Sequence, residues 1–125
     1  MPVTRPPLSD SVLVVCLCAD WCSVCCDYRA RFEQMRVNFP QLSFLWIDVE
    51  DESDLIEPLE VEDFPTVLLA VGAQPRFFGP VAPQAHRLER LIRAQLDDAA
   101  APALKDQAVC ALVTRLRERL LTPQQ

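Results

Sequence analysis

The sequence predicts an α/β fold built on a mixed sheet of about four strands, and three observations point to it. Two apolar runs, "VLVVCLC" at 12–18 and "LSFLWIDV" at 42–49, flank a stretch in which Tyr28, Phe32, Met35 and Phe39 recur at helical spacing. Buried strands separated by a helix-length crossover form a parallel βαβ unit. Farther along, "TVLLAV" (66–71) and "PRFFG" (75–79) are separated only by "GAQ", the spacing of a hairpin.

The elements follow in chain order. Residues 1–11, rich in proline, are expected to be irregular. The strand at 12–18 leads into a helix over about 22–38, which Pro40 stops. Between Asp48 and Asp63 lie nine of the eighteen acidic residues, and Pro58 leaves room only for a short helix. After the hairpin, 82–96 carries Leu88, Leu91, Ile92 and Leu96 as one apolar stripe. "DDAAAPA" reads as a linker. A last amphipathic helix is expected over 103–121, with Leu104, Ala108, Leu112, Leu116 and Leu120 on one side. That stripe must be buried, either against its own domain or in a dimer or partner contact through 103–121. The chain therefore divides into an N-terminal segment (1–11), a domain (12–97) and a C-terminal helical extension (98–125).

Composition narrows the function. A chain of 125 residues can bury a single core without staples. No run of eighteen apolar residues exists, so no spanning helix and no membrane partner are expected. "SVLVVCLCA" imitates a secretory signal only faintly: the run is short, Pro6, Pro7 and Asp10 precede it, and cleavage would remove a strand. The expected location is cytoplasmic. A net charge of −6 disfavours nucleic acid. Six cysteines in such a chain are read as catalytic, metal-binding or buried rather than as a disulfide framework.

Five of the six cysteines fall in "CLCADWCSVCC", residues 16–26. The order strand–turn–helix places Cys22 at a helix N-terminus and Cys25 one turn farther in. Unpaired backbone N–H groups and the helix dipole stabilise an anion at the first position, and the thiolate is the nucleophilic form. Residues three apart on a helix bring their Cα atoms within about 5–6 Å, a span that a disulfide accepts. Cys22 is thus placed to attack a disulfide and Cys25 to resolve the mixed disulfide. The same spacing is also half a zinc site.

Cys16 and Cys18 point to one face of their strand and are expected to be small core residues. The alternative is a soft-metal Cu or Zn thiolate site shared with Cys22, Cys25 and Cys26. There is no second CxxC and no CxxH, and the lone His86 is remote in sequence, so no metal site is expected. Cys110 and Trp46 are read as packing residues. The acidic stretch is read as a solvated face that leads directly into Phe64 and Pro65.

"WCSVC" (21–25) between a strand and a helix, "DFPT" (63–66) opening a later strand, and "FFGP" (77–80) before the last core helix resemble the thioredoxin family, in order, over roughly 12–97. The resemblance implies a thioredoxin-like three-layer α/β/α sandwich, with the family's first strand and helix reduced or missing and the C-terminal helix extra. It implies that Cys22 and Cys25 are the catalytic pair and that their disulfide is the redox group, with no bound cofactor. It implies a cis peptide at Pro65 beside Cys22, pairing of the Phe64 backbone with an extended substrate segment, and contact of Trp21 with substrate. The implied function is a thiol–disulfide oxidoreductase, a protein-disulfide reductase contributing to cell redox homeostasis. Its partners would be protein disulfides and an external thiol reductant. The alternative is a non-catalytic thioredoxin-fold adaptor binding through the Phe64–Pro65 edge and the extra C-terminal helix.

The chain also departs from the family. Ser23 and Val24 stand where Gly-Pro is usual. Cys16 takes the place of a buried carboxylate six residues before the first cysteine, and a thiol is the poorer base at neutral pH. A slower reductase is expected, and Asp20, in the connecting turn, is expected to face water. Cys26 replaces a frequent lysine. One residue along a helix it points about 100° away from Cys25, so it is not expected to join the same bridge.

Overall fold

The computed structural model describes residues 12–19, 21–57, 59, 61–72, 74–82, 84–97 and 103–121. The segment 1–11, where the family's first strand would fall, lies outside the described residues, as do Asp20 and 98–102 of the linker. The elements run β1 (Val12–Cys18), α1 (Ser23–Asn38), β2 (Ser43–Asp48), α2 (Ser53–Ile56), β3 (Thr66–Val71), β4 (Gln74–Pro80), α3 (Ala85–Asp97) and α4 (Gln107–Leu121). The sheet order is β2-β1-β3-β4. β1 is central, parallel to β2 and antiparallel to β3. All seven of its residues are buried, which is why its sequence is a continuous apolar run instead of an alternating one. β3 and β4 form the expected hairpin, with Val71 opposite Gln74. Gly72 turns it at φ 61°, a left-handed conformation that a side chain would oppose. Pro75 and Pro80 sit on β4, a strand at the sheet edge, where a missing N–H is tolerated.

The two faces of β1 define two cores. Val12, Val14, Cys16 and Cys18 pack with Tyr28, Phe32 and Met35 of α1 and with Leu88 and Ile92 of α3. Leu13, Val15 and Leu17 pack on the other side with Val109, Leu112, Val113 and Leu116 of α4. Among the described residues helices thus cover both faces of the sheet, and α4 supplies most of the third layer.

This packing decides between the two burials that the sequence left open for α4. The apolar face of α4 is covered by its own sheet, so the dimer or partner contact through 103–121 loses the exposed stripe that motivated it. α4 lies beyond the boundary at 97 and packs on the same sheet. The inward residues are Val109, Leu112, Val113 and Leu116, a set shifted from the expected stripe. α4 also begins at Gln107 rather than at 103, because Asp106 caps it. The Asp106 carboxylate accepts the N–H groups of Ala108 and Val109 at 2.9 and 3.1 Å, satisfying donors that a helix start leaves unpaired. Polar clasps fix the far side of α4. Arg115 donates to the carbonyls of Leu55 and Glu57, both at 2.9 Å, and Arg117 donates to that of Gly72 at 2.8 Å.

A second clasp has a pH signature. The Arg119 guanidinium makes a two-pronged contact with Glu52, both side chains being about one third exposed. The hydrogen bonds from Arg119 hold the Glu52 carboxyl below its usual range. A depressed folded-state pKa stabilises the protein above the unfolded-state value and ceases to do so as pH falls through the folded one. Glu52→Gln is expected to lower stability at pH 7 by about 0.5–1 kcal/mol, the scale of a solvent-screened pair. In denaturant titrations the difference from the parent should shrink as pH falls below the ordinary glutamate range and vanish once the folded-state carboxyl is protonated. A difference that persists in acid would contradict this account.

Candidate functional site

At the C-terminal end of β1 the chain turns sharply and enters α1 at Cys22. The Cys22 N–H donates to the Ala19 carbonyl at 3.0 Å, and the Cys22 carbonyl accepts from the Cys26 N–H at 3.1 Å. Cys22 is the N-cap, in extended conformation with φ −87° and ψ 120°. No side chain caps the helix and no acidic residue lies in its first turn. The half-buried Cys22 thiol therefore stands at the N-terminus of a 16-residue helix, with no acidic side chain in the first turn.

A second segment closes on this sulfur's neighbours. The Phe64–Pro65 peptide is cis, as the family resemblance implies. Pro65 is buried and its carbonyl accepts from the Val81 N–H at 3.1 Å, while the Thr66 hydroxyl donates to the Asp63 carbonyl. Trp21 links the two segments. Its ring meets that of Phe64 edge to face at 5.7 Å, and its indole N–H donates to Glu50 at 2.7 Å. Held at these two points, Trp21 still leaves 67% of its surface exposed. Cys22 and Phe64 both rest on the rim of the core between the sheet and α1.

The structure departs from expectation at the bridge. Cys25 is bonded to Cys18, with their Cα atoms 5.8 Å apart, and Cys22 is a free thiol. The anticipated Cys22–Cys25 disulfide is not the bond present, and Cys18 is more than a packing residue. The reason lies in the two faces that meet. Cys25 extends the inward stripe of Tyr28, Phe32 and Met35 and is 1% exposed, while Cys18 lies on the face of β1 that receives this stripe. The signal was available in the sequence, since Cys25 precedes Tyr28 by one helical turn. Glu50, which anchors Trp21, carried no such signal.

Cys16 occupies the core as expected. Its sulfur lies 3.8 Å from that of Cys18, and with Cys18 oxidised the S–H donor is Cys16. Burial pushes the Cys16 thiol well above its ordinary range, so it stays protonated at neutral pH. Burial, and after it the proximity of Cys16, also push the Tyr28 phenol up. Its hydroxyl has no hydrogen-bond partner among the described residues. Neither group is a base at neutral pH.

Cys26 and Trp46 line a cavity of about 190 Å³ with Cys25, Ala19 and Arg29. Cys26 is exposed. Trp46 packs edge to face with Phe32 at 5.6 Å beneath the Arg29 guanidinium. His86 is exposed, and Cys110 is half-buried with its thiol 3.7 Å from the Leu104 carbonyl.

Clustered sulfurs at the mouth of a helix, beside a cis proline on a four-stranded mixed sheet, define a thiol–disulfide oxidoreductase class. The comparisons agree. The sequence pattern of the thioredoxin family matches residues 6–94. Thioredoxin-1 of Saccharomyces cerevisiae is 32% identical over 53% of this chain and 73% of its own length. Among solved structures, thioredoxin from Trypanosoma brucei brucei superposes with a TM-score of 0.64 at 20% identity, covering 78% of this chain and 98% of that one. A poplar thioredoxin h superposes with a TM-score of 0.63 at 27% identity, covering 70% and 78%. The chain belongs to the thioredoxin family. Among the described residues, no helix is long and apolar enough to cross a membrane.

Proposed function

We propose that the protein is a protein-disulfide reductase contributing to cytoplasmic redox homeostasis, with Cys22 as the attacking sulfur and Cys25 as the resolving one. The observation that supports it is the placement of Cys22, half-buried at the helix mouth, while Cys25 and Cys18 are 1% and 0% exposed. A disulfide on another protein meets Cys22 before either of those. The Cys22 thiolate attacks one substrate sulfur, forming a mixed disulfide and expelling the other sulfur as thiolate. Cys25 then attacks the Cys22 sulfur, the substrate leaves reduced, and Cys22–Cys25 closes. An external thiol reductant supplies the two electrons that reopen it, and no bound cofactor takes part.

The substrate side is supported by Trp21, Phe64 and Pro65. The Phe64 backbone presents an edge to an extended segment, and Trp21 adds rigid apolar surface. Trp21→Ala is expected to raise KM about fivefold, the scale of one lost aromatic contact. Its kcat should stay within about twofold, because Trp21 holds no reacting atom. A kcat loss at unchanged KM would place Trp21 in the chemistry instead. Turnover should be slower than in family members with a buried carboxylate, since Cys16 is protonated and accepts no proton from Cys25.

The Cys18–Cys25 bond favours a second reading, the non-catalytic adaptor, because it takes the resolving sulfur out of use. Reduction of insulin disulfides separates the two, with bound metal measured in the same sample. Catalysed turnover that depends on Cys22 supports the reductase. Inactivity of the fully reduced chain, with tight binding of a partner, supports the adaptor, and stoichiometric metal would support a soft-metal thiolate site.

A further inference from the structure

We propose that Cys18 is a third redox sulfur, which takes over Cys25 from Cys22 and so converts the oxidised protein into a form with a buried bridge and a free surface thiol. The proposal rests on the roles given to Cys22 and Cys25 above and extends them. Cys25 has two partners within reach. Cys18 is bonded to it at a Cα separation of 5.8 Å, and Cys22 stands three residues before it at the start of the same helix, about 5–6 Å away.

The step is an exchange with no net oxidation. The Cys18 thiolate attacks the Cys25 sulfur of a Cys22–Cys25 bridge, the Cys18–Cys25 bond forms, and the Cys22–Cys25 bond breaks. Cys22 departs as a thiolate, and the proton given up by Cys18 passes to solvent. The oxidising equivalent came from the substrate disulfide. The exchange leaves the anion at the helix N-terminus, where it is stabilised, and leaves a neutral disulfide in the apolar core, where a charge would be costly. The Cys16 thiol, 3.8 Å from Cys18, donates to the bridged sulfur and to the Cys18 thiolate that forms when the step reverses.

Burial makes Cys22 the gate. Cys18 and Cys25 are 0% and 1% exposed, so an external thiol has little access to the inner bridge until Cys22 attacks Cys25 and draws the bond outward. With the bridge inside, Cys22 forms mixed disulfides that Cys25 does not resolve. The inner bridge is therefore an off state of the same site, entered under oxidation and left through Cys22.

Cys22→Ser tests this directly. Treated with diamide, alkylated in acid and mapped by peptide mass, it is expected to contain a Cys18–Cys25 crosslink, which disappears in Cys22→Ser/Cys18→Ala. In the folded state its reduction by dithiothreitol should be about tenfold slower than in the parent, because the thiolate that opens it is gone. The proposal is overturned if every remaining cysteine of Cys22→Ser alkylates, if the bridge maps to another pair, or if it is reduced at the parental rate. The unmodified protein gives an independent reading that needs no variant to fold. After oxidation by insulin disulfides it should yield both Cys22–Cys25 and Cys18–Cys25 peptides, and Cys22–Cys25 alone would overturn the proposal. Insulin reduction with only the outer bridge leaves the reductase standing without the third sulfur. An inner bridge without insulin reduction removes the reductase instead.

Discussion

Replacing Cys22 by serine is expected to reduce insulin-disulfide turnover to the rate of the external reductant alone. A hydroxyl forms no mixed disulfide, and the other sulfurs of the strand–helix junction, Cys16, Cys18 and Cys25, are at most 1% exposed. The loss should come without loss of structure. The Cys22 side chain makes no capping hydrogen bond, and serine is among the better N-cap residues, so α1 is not weakened. Thermal unfolding of Cys22→Ser at or above the parental Tm, together with abolished turnover, is the expected pair of results. Substantial remaining turnover would transfer the attack to the exposed Cys26.

Leu112→Ala carries the largest expected effect on stability. Leu112 is fully buried between α4 and the sheet face formed by Leu13, Val15 and Leu17. Truncating such a leucine costs about 2–5 kcal/mol, against a total of about 5–15 kcal/mol for a domain. A fall in Tm on the order of 10 °C is expected. The same variant tests the place of α4 in the fold. If α4 were an appended helix or a dimer contact, Leu112→Ala would change self-association and leave the unfolding of the monomer nearly untouched.

Much of this architecture was legible in the sequence because its elements have strong periods and clear stops. The doubly apolar run at 12–18 became the fully buried central strand. Tyr28, Phe32 and Met35 became the inward stripe of α1, and the "GAQ" spacing became the hairpin. The cis peptide at Pro65 followed from the family resemblance and not from local pattern. What stayed hidden depends on how elements meet. The stripe of α4 announced burial but not its partner, since a sheet face and a second protein satisfy an apolar helix equally well. The start of α4 was set by a single carboxylate, Asp106. The pairing of Cys18 with Cys25 required the inward faces of β1 and α1 to be placed opposite each other, whereas the CxxC spacing considers α1 alone. Trp21 was singled out by its position beside Cys22, but the Glu50 that holds it lies twenty-nine residues away.

In the proposed mechanism the sulfur at the mouth of α1 is the one that meets substrate. Cys25→Ser removes the resolving sulfur and should leave the first covalent intermediate standing. Incubated with a protein disulfide, quenched in acid and mapped, it is predicted to carry the substrate on Cys22. Attachment to Cys26, or no covalent adduct at all, would contradict the account.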